Sequence, residues 1–321
     1  MKMPDPKKEL YSLKSKRVWV AGHRGMVGSA LVRRLESEDC QILCVEREAL
    51  DLCNQDAVNT WMGKEKPDAV FLAAAKVGGI NANRSRPADF IYNNLSIETN
   101  IIHAAWKNDV GKLMFLGSSC IYPKLAPQPM REEDLLSGPL EPTNQWYAIA
   151  KIAGIMLCQA FRQQHGCDFI SAQPTNLYGI GDNFDLQSSH VLPALMAKAQ
   201  QAKTDGAPSM DVWGSGKSKR EFLFADDLAD ALVYMMKHYS GDIQINVGTG
   251  EDMSIREAAE LVCRVVGFTG GLAFDRSMPD GAPRKLLNVD RLTDMGWTAG
   301  TSLEDGLRQT YRWYLENYPK G

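Results

Sequence analysis

The chain has 321 residues, with 36 Lys and Arg against 39 Asp and Glu and a net charge of −3. That balance gives no electrostatic reason to expect nucleic acid as a partner, although it leaves room for a local basic patch facing a phosphate. An apolar content of 44% can build a sizeable core, and no apolar run is long enough to span a bilayer.

Residues 1–16 are rich in lysine and lack the hydrophobic stretch of a secretory signal. A polar, poorly ordered extension is expected there, with Leu10, Tyr11 and Leu13 able to pack locally. Residues 17–21 read as a first strand, followed by a glycine turn and a helix over 26–37. Further strands are expected at 41–45, 69–72 and 112–116, with a helix over 88–107 that Pro87 is suited to start. Residues 143–164 form a second long helical stretch after Pro142, and 169–172 a fifth strand. Beyond it the pattern loosens into Gly- and Pro-containing loops and shorter elements, apart from a strand near 244–247 that returns to the sheet.

Short apolar runs alternating with amphipathic stretches indicate an α/β fold: a Rossmann-like doubly wound parallel sheet with a smaller, interleaved C-terminal lobe. The expected division is 17–175 for a dinucleotide domain and 176–321 mainly for a substrate lobe. Cys40, Cys44, Cys53, Cys120, Cys158, Cys167 and Cys263 are odd in number and lack metal-ligand spacing. Reduced thiols in a cytoplasmic protein are expected, and no metal site.

Between the first strand and its helix lie Gly22, His23, Arg24, Gly25, Met26, Val27 and Gly28. Glycines at this junction allow a tight turn and close approach of backbone to a pyrophosphate, which the helix N-terminus then attracts. Arg24 and Arg47 are suited to a ribose 2′-phosphate, whereas Glu46 stands where an acidic residue would accept the 2′-hydroxyl of NAD. Two guanidiniums against one carboxylate point to NADP(H).

Tyr147 and Lys151 lie one helical turn apart on one face. The neighbouring ammonium and the positive charge of the cofactor are together expected to make the phenol more acidic, so that it can give a proton to a carbonyl oxygen as hydride reaches the carbon. Ser118 and Ser119 follow the fourth strand, at the carboxyl end of the sheet where such folds bind ligands.

Glycine turn, serines and YxxxK together resemble the extended short-chain dehydrogenase/reductase family. Within it, segments 21–28, 73–79, 117–123, 142–154, 174–179, 213–216, 220–223 and 279–287 are similar to the GDP-L-fucose synthases. The resemblance implies epimerisation of GDP-4-keto-6-deoxy-D-mannose at C3 and C5 and reduction at C4 with NADPH. It implies that Cys120 and His190 are the acid–base pair, with Ser118, Tyr147 and Lys151 serving the carbonyl. It also implies that Leu116, Gly117, Ser118, Ser119, Lys151, Pro174, Thr175, Asn176, Leu177 and His190 border the cofactor. Lys198, Trp213, Arg220, Asp280 and Lys285 match positions that hold the GDP-sugar, and a homodimer built on the two long helices is implied. Gln145, Trp146 and the segment 180–182 depart from the family pattern. A GDP-L-colitose synthase, a nucleotide-sugar 4-epimerase and a dinucleotide-sensing protein without catalysis remain as alternatives.

Overall fold

The structure, a computed structural model, describes residues 8–186, 188–278 and 280–318. The chain begins with β1 (Arg17–Ala21), α1 (Met26–Leu35), β2 (Gln41–Leu43), α2 (Gln55–Glu65) and β3 (Ala69–Leu72). It continues through α3 (Ile80–Ser85), α4 (Pro87–Lys107), β4 (Lys112–Leu116), α5 (Gln145–His165), β5 (Phe169–Pro174) and β6 (Asn176–Tyr178). The second half contains α6 (Val191–Thr204), β7 (Ser209–Trp213), β8 (Lys219–Arg220), β9 (Phe222–Phe224), α7 (Ala225–His238) and β10 (Ile245–Val247). After these come β11 (Met253–Ser254), α8 (Ile255–Val266), β12 (Gly271–Asp275), β13 (Arg284–Lys285), α9 (Asp290–Asp294) and α10 (Leu303–Asn317).

Six strands make a parallel sheet in the order β2-β1-β3-β4-β5-β10. Alternation along the strands divides the core. Val18, Val20, Phe71 and Met114 face α1 and α7, where Leu31, Leu35, Leu228 and Leu232 pack. Trp19, Val70, Leu113 and Phe115 face α2, α4 and α5, where Met62, Ile101 and Ile155 pack. Both faces are covered, as an all-parallel sheet requires. Helix α1 is pinned to α7 by Arg33–Asp226 and Arg34–Asp230 ion pairs. A third core, with Leu195, Met196, Val262, Phe268 and Leu307, belongs to the lobe built from α6, α8, α10 and the short sheets.

The region after β5 is more regular than the sequence suggested. Helix α7 carries a buried stripe from Ala225 to Met236 and covers one face of the main sheet. Helix α8 opens with a Ser254–Glu257 capping box and closes at Gly267 in the left-handed region. The expected disorder at the N-terminus is corrected for residues 8–16. Leu13 is buried in the core, the Leu10 and Tyr11 amides donate to the Lys237 carbonyl, and the Tyr11 hydroxyl donates to the Asp68 carbonyl. Residues 1–7 of that extension lie outside the described residues.

Candidate active site

Strand order reverses between β1 and β3, so the loops leaving these strands diverge and open a crevice at the carboxyl edge of the sheet. A cavity of about 1300 Å³ occupies it. Its wall includes the whole glycine turn 22–28, Arg47, the segments 116–120 and 174–177, Tyr147, Lys151 and His190. Arg220, Asp280 and Lys285 close it from the lobe.

The turn after β1 is built for close approach. Gly22 has a φ of +89°, and a Cβ there would lie 2.7 Å from the Ala74 backbone. A Cβ on Gly28 would lie 2.0 Å from the Gly22 carbonyl oxygen. Helix α1 starts with no side-chain cap and no acidic residue in its first turn. Its N-terminal amides and dipole are therefore left for an anion, and the donor set fits a pyrophosphate. Beside it, Glu46 Oε2 lies 2.6 Å from Arg24 Nη2 and Oε1 lies 3.5 Å from His23 Nε2. Arg24 and Arg47 line the cavity and Glu46 does not.

Helix α5 stacks Tyr147 and Lys151 beneath the cavity. Lys151 is 2% exposed, and its ammonium lies 2.8 Å from Glu98 Oε1, 4.8 Å from the centre of the Phe115 ring and 5.9 Å from that of Tyr147. The expected acidification of Tyr147 is not met. Burial, then the charges of Cys120 and Glu98, push its hydroxyl above the ordinary tyrosine range, against a hydrogen bond with Ser118. The main physical reason is burial of the phenol, while Lys151, the cation beside it, is paired with Glu98. A phenol held protonated is suited to donating a proton.

Ser118 leaves β4 extended, and its amide donates to Gln173 Oε1 at 2.9 Å while its Oγ accepts from the Cys120 amide at 3.2 Å. These bonds aim the Ser119–Ile121 turn into the cavity. Lys285 Nζ donates to Cys120 Sγ at 3.3 Å. Burial opposes ionisation of the thiol, but the Lys285 charge, with hydrogen bonds from Ser118, Lys285 and Asn144, outweighs it and holds Cys120 below the ordinary thiol range. His190, at the start of α6, is held below the ordinary histidine range by the surrounding protein and by Lys285.

Two expected substrate residues lie outside the lining of this cavity. Lys198 and Trp213 are not in the cavity wall; the Lys198 ammonium sits 4.6 Å from the centre of the Trp213 ring, and it donates to the Asp211 carbonyl. Trp213 is 46% exposed, and two residues on, the Ser215 amide donates to Asp280 of the cavity wall. Lys285, expected at the sugar nucleotide, lines the cavity and also faces the thiol. Sequence reasoning missed Glu98, Gln173 and Asn144. Glu98 had a readable signal, since it interrupts the buried stripe Phe90, Asn94, Ile101, Ile102 and Ala105 of α4.

A doubly wound sheet with a glycine turn after β1, and a tyrosine and lysine one turn apart beneath the crevice, defines a dinucleotide-dependent enzyme of the extended short-chain dehydrogenase/reductase class. The chain belongs to the NAD dependent epimerase/dehydratase family, whose sequence model matches residues 18–248. It is 58% identical to a GDP-L-fucose synthase of Sinorhizobium fredii over 308 residues, covering 96% of this chain and 98% of the relative. It is 53% identical to the GDP-L-fucose synthase of Escherichia coli, covering 95% and 98%. Among solved structures it is similar to a GDP-L-fucose synthetase from Naegleria fowleri bound to NADP, with a TM-score of 0.90, 29% identity and 98% of each chain covered.

Proposed function

We propose that this enzyme epimerises GDP-4-keto-6-deoxy-D-mannose at C3 and C5 and reduces C4 with NADPH, giving GDP-L-fucose. The observation that carries this reading is the Cys120 thiol, 3.3 Å from the Lys285 ammonium, in the same cavity as Tyr147 and Lys151. A 4-epimerase needs the tyrosine and lysine but has no use for an activated thiol. The likeness to two GDP-L-fucose synthases over nearly the whole chain supports it.

NADPH, when bound, supplies the hydride for C4. The glycine turn 22–28 would hold its pyrophosphate, Arg24 and Arg47 its 2′-phosphate, and Lys151 with the segment 174–177 its nicotinamide ribose. Ser118 and Tyr147 donate hydrogen bonds to the C4 oxygen, stabilising the enolate as Cys120 takes a proton from the neighbouring carbon. His190 returns a proton to the other face. Burial and the Lys285 charge disfavour its protonated form, which favours release of that proton. After epimerisation, Tyr147 gives its proton to the C4 oxygen. Arg220 and Asp280 hold the sugar nucleotide from the lobe side, and residues 176–321 serve mainly as the substrate lobe, apart from α7, β10 and α9, which pack with the main sheet.

The outer faces of α4 and α5 expose Tyr92, Trp146, Ile149 and Met156. That apolar surface supports pairing of two copies through these helices, and a dimer mass in light scattering at micromolar concentration is expected. No helix among the described residues is long and apolar enough to cross a membrane, and all seven cysteines are free, which supports a cytoplasmic enzyme. The deciding experiment is incubation with GDP-4-keto-6-deoxy-D-mannose and NADPH, with NMR identification of the sugar. GDP-L-fucose is the expected product. Turnover confined to the 3-deoxy keto-sugar would select the colitose reaction and overturn this assignment.

A further inference from the structure

All seven cysteines are free, and one of them touches an amine. Lys285 Nζ lies 3.3 Å from Cys120 Sγ, and both side chains line the wide cavity, where a small solute can reach them. Among the described residues that sulfur is the only hydrogen-bond partner of the amine, and no other cysteine is bonded to a lysine. The two groups are already in contact, so joining them requires motion of the flexible lysine side chain and no shift of backbone. Peroxides oxidise a thiolate rather than a thiol, and the neighbouring ammonium favours the thiolate at Cys120. Burial holds the other six thiols above the ordinary range, in the less reactive protonated form.

We propose that Cys120 and Lys285 are a peroxide-modification site, at which oxidised Cys120 is captured by the Lys285 amine as a reversible sulfur–nitrogen (sulfenamide) bridge. The Cys120 thiolate attacks one oxygen of hydrogen peroxide, the O–O bond breaks, and a sulfenic acid and hydroxide result. Hydroxide takes a proton from the Lys285 ammonium, giving water and the free amine. Oxidation has removed the negative charge that favoured the ammonium, so the step that makes the sulfur electrophilic also releases the nucleophile. The amine nitrogen then attacks the sulfur, the S–N bond forms, the S–O bond breaks, and the hydroxyl leaves with an amine proton as water. In sum, thiolate, ammonium and peroxide become the bridge and two waters; sulfur loses two electrons and the peroxide gains them. Two molecules of a small thiol reverse the bridge, returning thiolate and ammonium and leaving as one disulfide. Capture stops Cys120 short of the irreversible sulfinic stage and leaves the glycine turn, Arg24 and Arg47 free for the cofactor. The bridge forms whether or not Cys120 is the base of the proposed reaction.

The test is mass spectrometry of the full-length enzyme, loaded with NADP⁺ and treated with a small excess of hydrogen peroxide. Intact mass should fall by two hydrogens, and a digest should contain the Cys120 peptide joined to the Lys285 peptide. Dithiothreitol should restore the original mass and separate the two peptides. Lys285→Arg keeps a positive charge beside the sulfur but offers no free amine, because a guanidinium stays protonated. That variant should form no bridge, and its Cys120 should advance to sulfinic and sulfonic acids that dithiothreitol does not reverse. A wild-type Cys120 that stays reduced, stops at the sulfenic acid or passes to the sulfinic acid without a bridge overturns the proposal. So does a two-hydrogen loss confined to the Cys120 peptide, which would put the bond on a backbone nitrogen, or a joined pair that keeps the oxygen. Should Lys285→Arg not fold, Cys120→Ser decides: the joined peptides should vanish, and their persistence would make another residue the source.

Discussion

Replacing Lys285 with methionine keeps most of the side-chain volume and removes the charge beside Cys120. At a separation of 3.3 Å the attraction between ammonium and thiolate is about 5 kcal/mol at an effective dielectric of about 20, and about 1.3 kcal/mol at that of water. Both groups are partly open to the cavity, so solvent screening selects the lower part of that range. With roughly 1.4 kcal/mol per pH unit, the thiol should titrate about one to two units higher in the variant. The sign follows from the charges: the ammonium stabilises only the ionised sulfur, so its loss favours the protonated form. At neutral pH the thiolate fraction should fall about tenfold or more. The pH dependence of Cys120 alkylation in the free enzyme measures this without involving substrate binding, and a Cys120→Ser control removes the other thiols from the reading. An alkylation profile that Lys285→Met leaves in place would refute the proposed activation of Cys120.

Replacing both Arg24 and Arg47 with alanine should remove most of the preference for NADPH over NADH, since charge-assisted contacts are worth about 1.5–3 kcal/mol each; equal use of the two cofactors by the wild type would contradict the assignment. Tyr147→Phe should lower turnover by about 10²-fold or more with little change in NADPH affinity, as steady-state kinetics and cofactor titration would show. Asp182, buried with Oδ2 unpartnered, has its carboxyl pushed up to about 7. The folded state therefore holds a proton that the unfolded chain releases at lower pH, so this group costs stability as pH rises from the ordinary carboxylate range to 7 and keeps that cost above it. Asp182→Asn should accordingly stabilise the protein at pH 8 by up to ~4 kcal/mol and have little effect near pH 4, readable in denaturant melts.

The first half of the fold was legible because most of its strands are short apolar runs in a parallel sheet, and glycine marks the turn after β1 while Pro87 opens α4. The helix ends differed by a turn or less: α1 stops at Leu35 rather than residue 37, and α5 starts at Gln145 rather than residue 143. The regular second half was less visible, because α7 draws its stability from packing on α1 and the sheet rather than from a caps-and-glycine pattern. At the site, residues that meet the cavity through their own strand or helix end were readable. Contacts made across the chain were not. Lys285 reaches Cys120 from 165 positions away, and Lys198 of α6 meets the Trp213 ring at the end of β7. Arg24 likewise could be read as a phosphate ligand, but not as the partner of Glu46.

The central claim is that Cys120 moves protons at the carbons beside the ketone while Tyr147 serves the reduction. Hydrogen–deuterium exchange at C3 and C5 of GDP-4-keto-6-deoxy-D-mannose in D₂O, without reductive turnover, tests it most directly. Wild-type enzyme should introduce deuterium at both positions, and Cys120→Ser should lose most of that exchange while still taking up NADPH, because a hydroxyl is a far poorer base than a thiolate at this pH. Exchange at both carbons by Cys120→Ser at the wild-type rate would make the thiol structural and contradict the account.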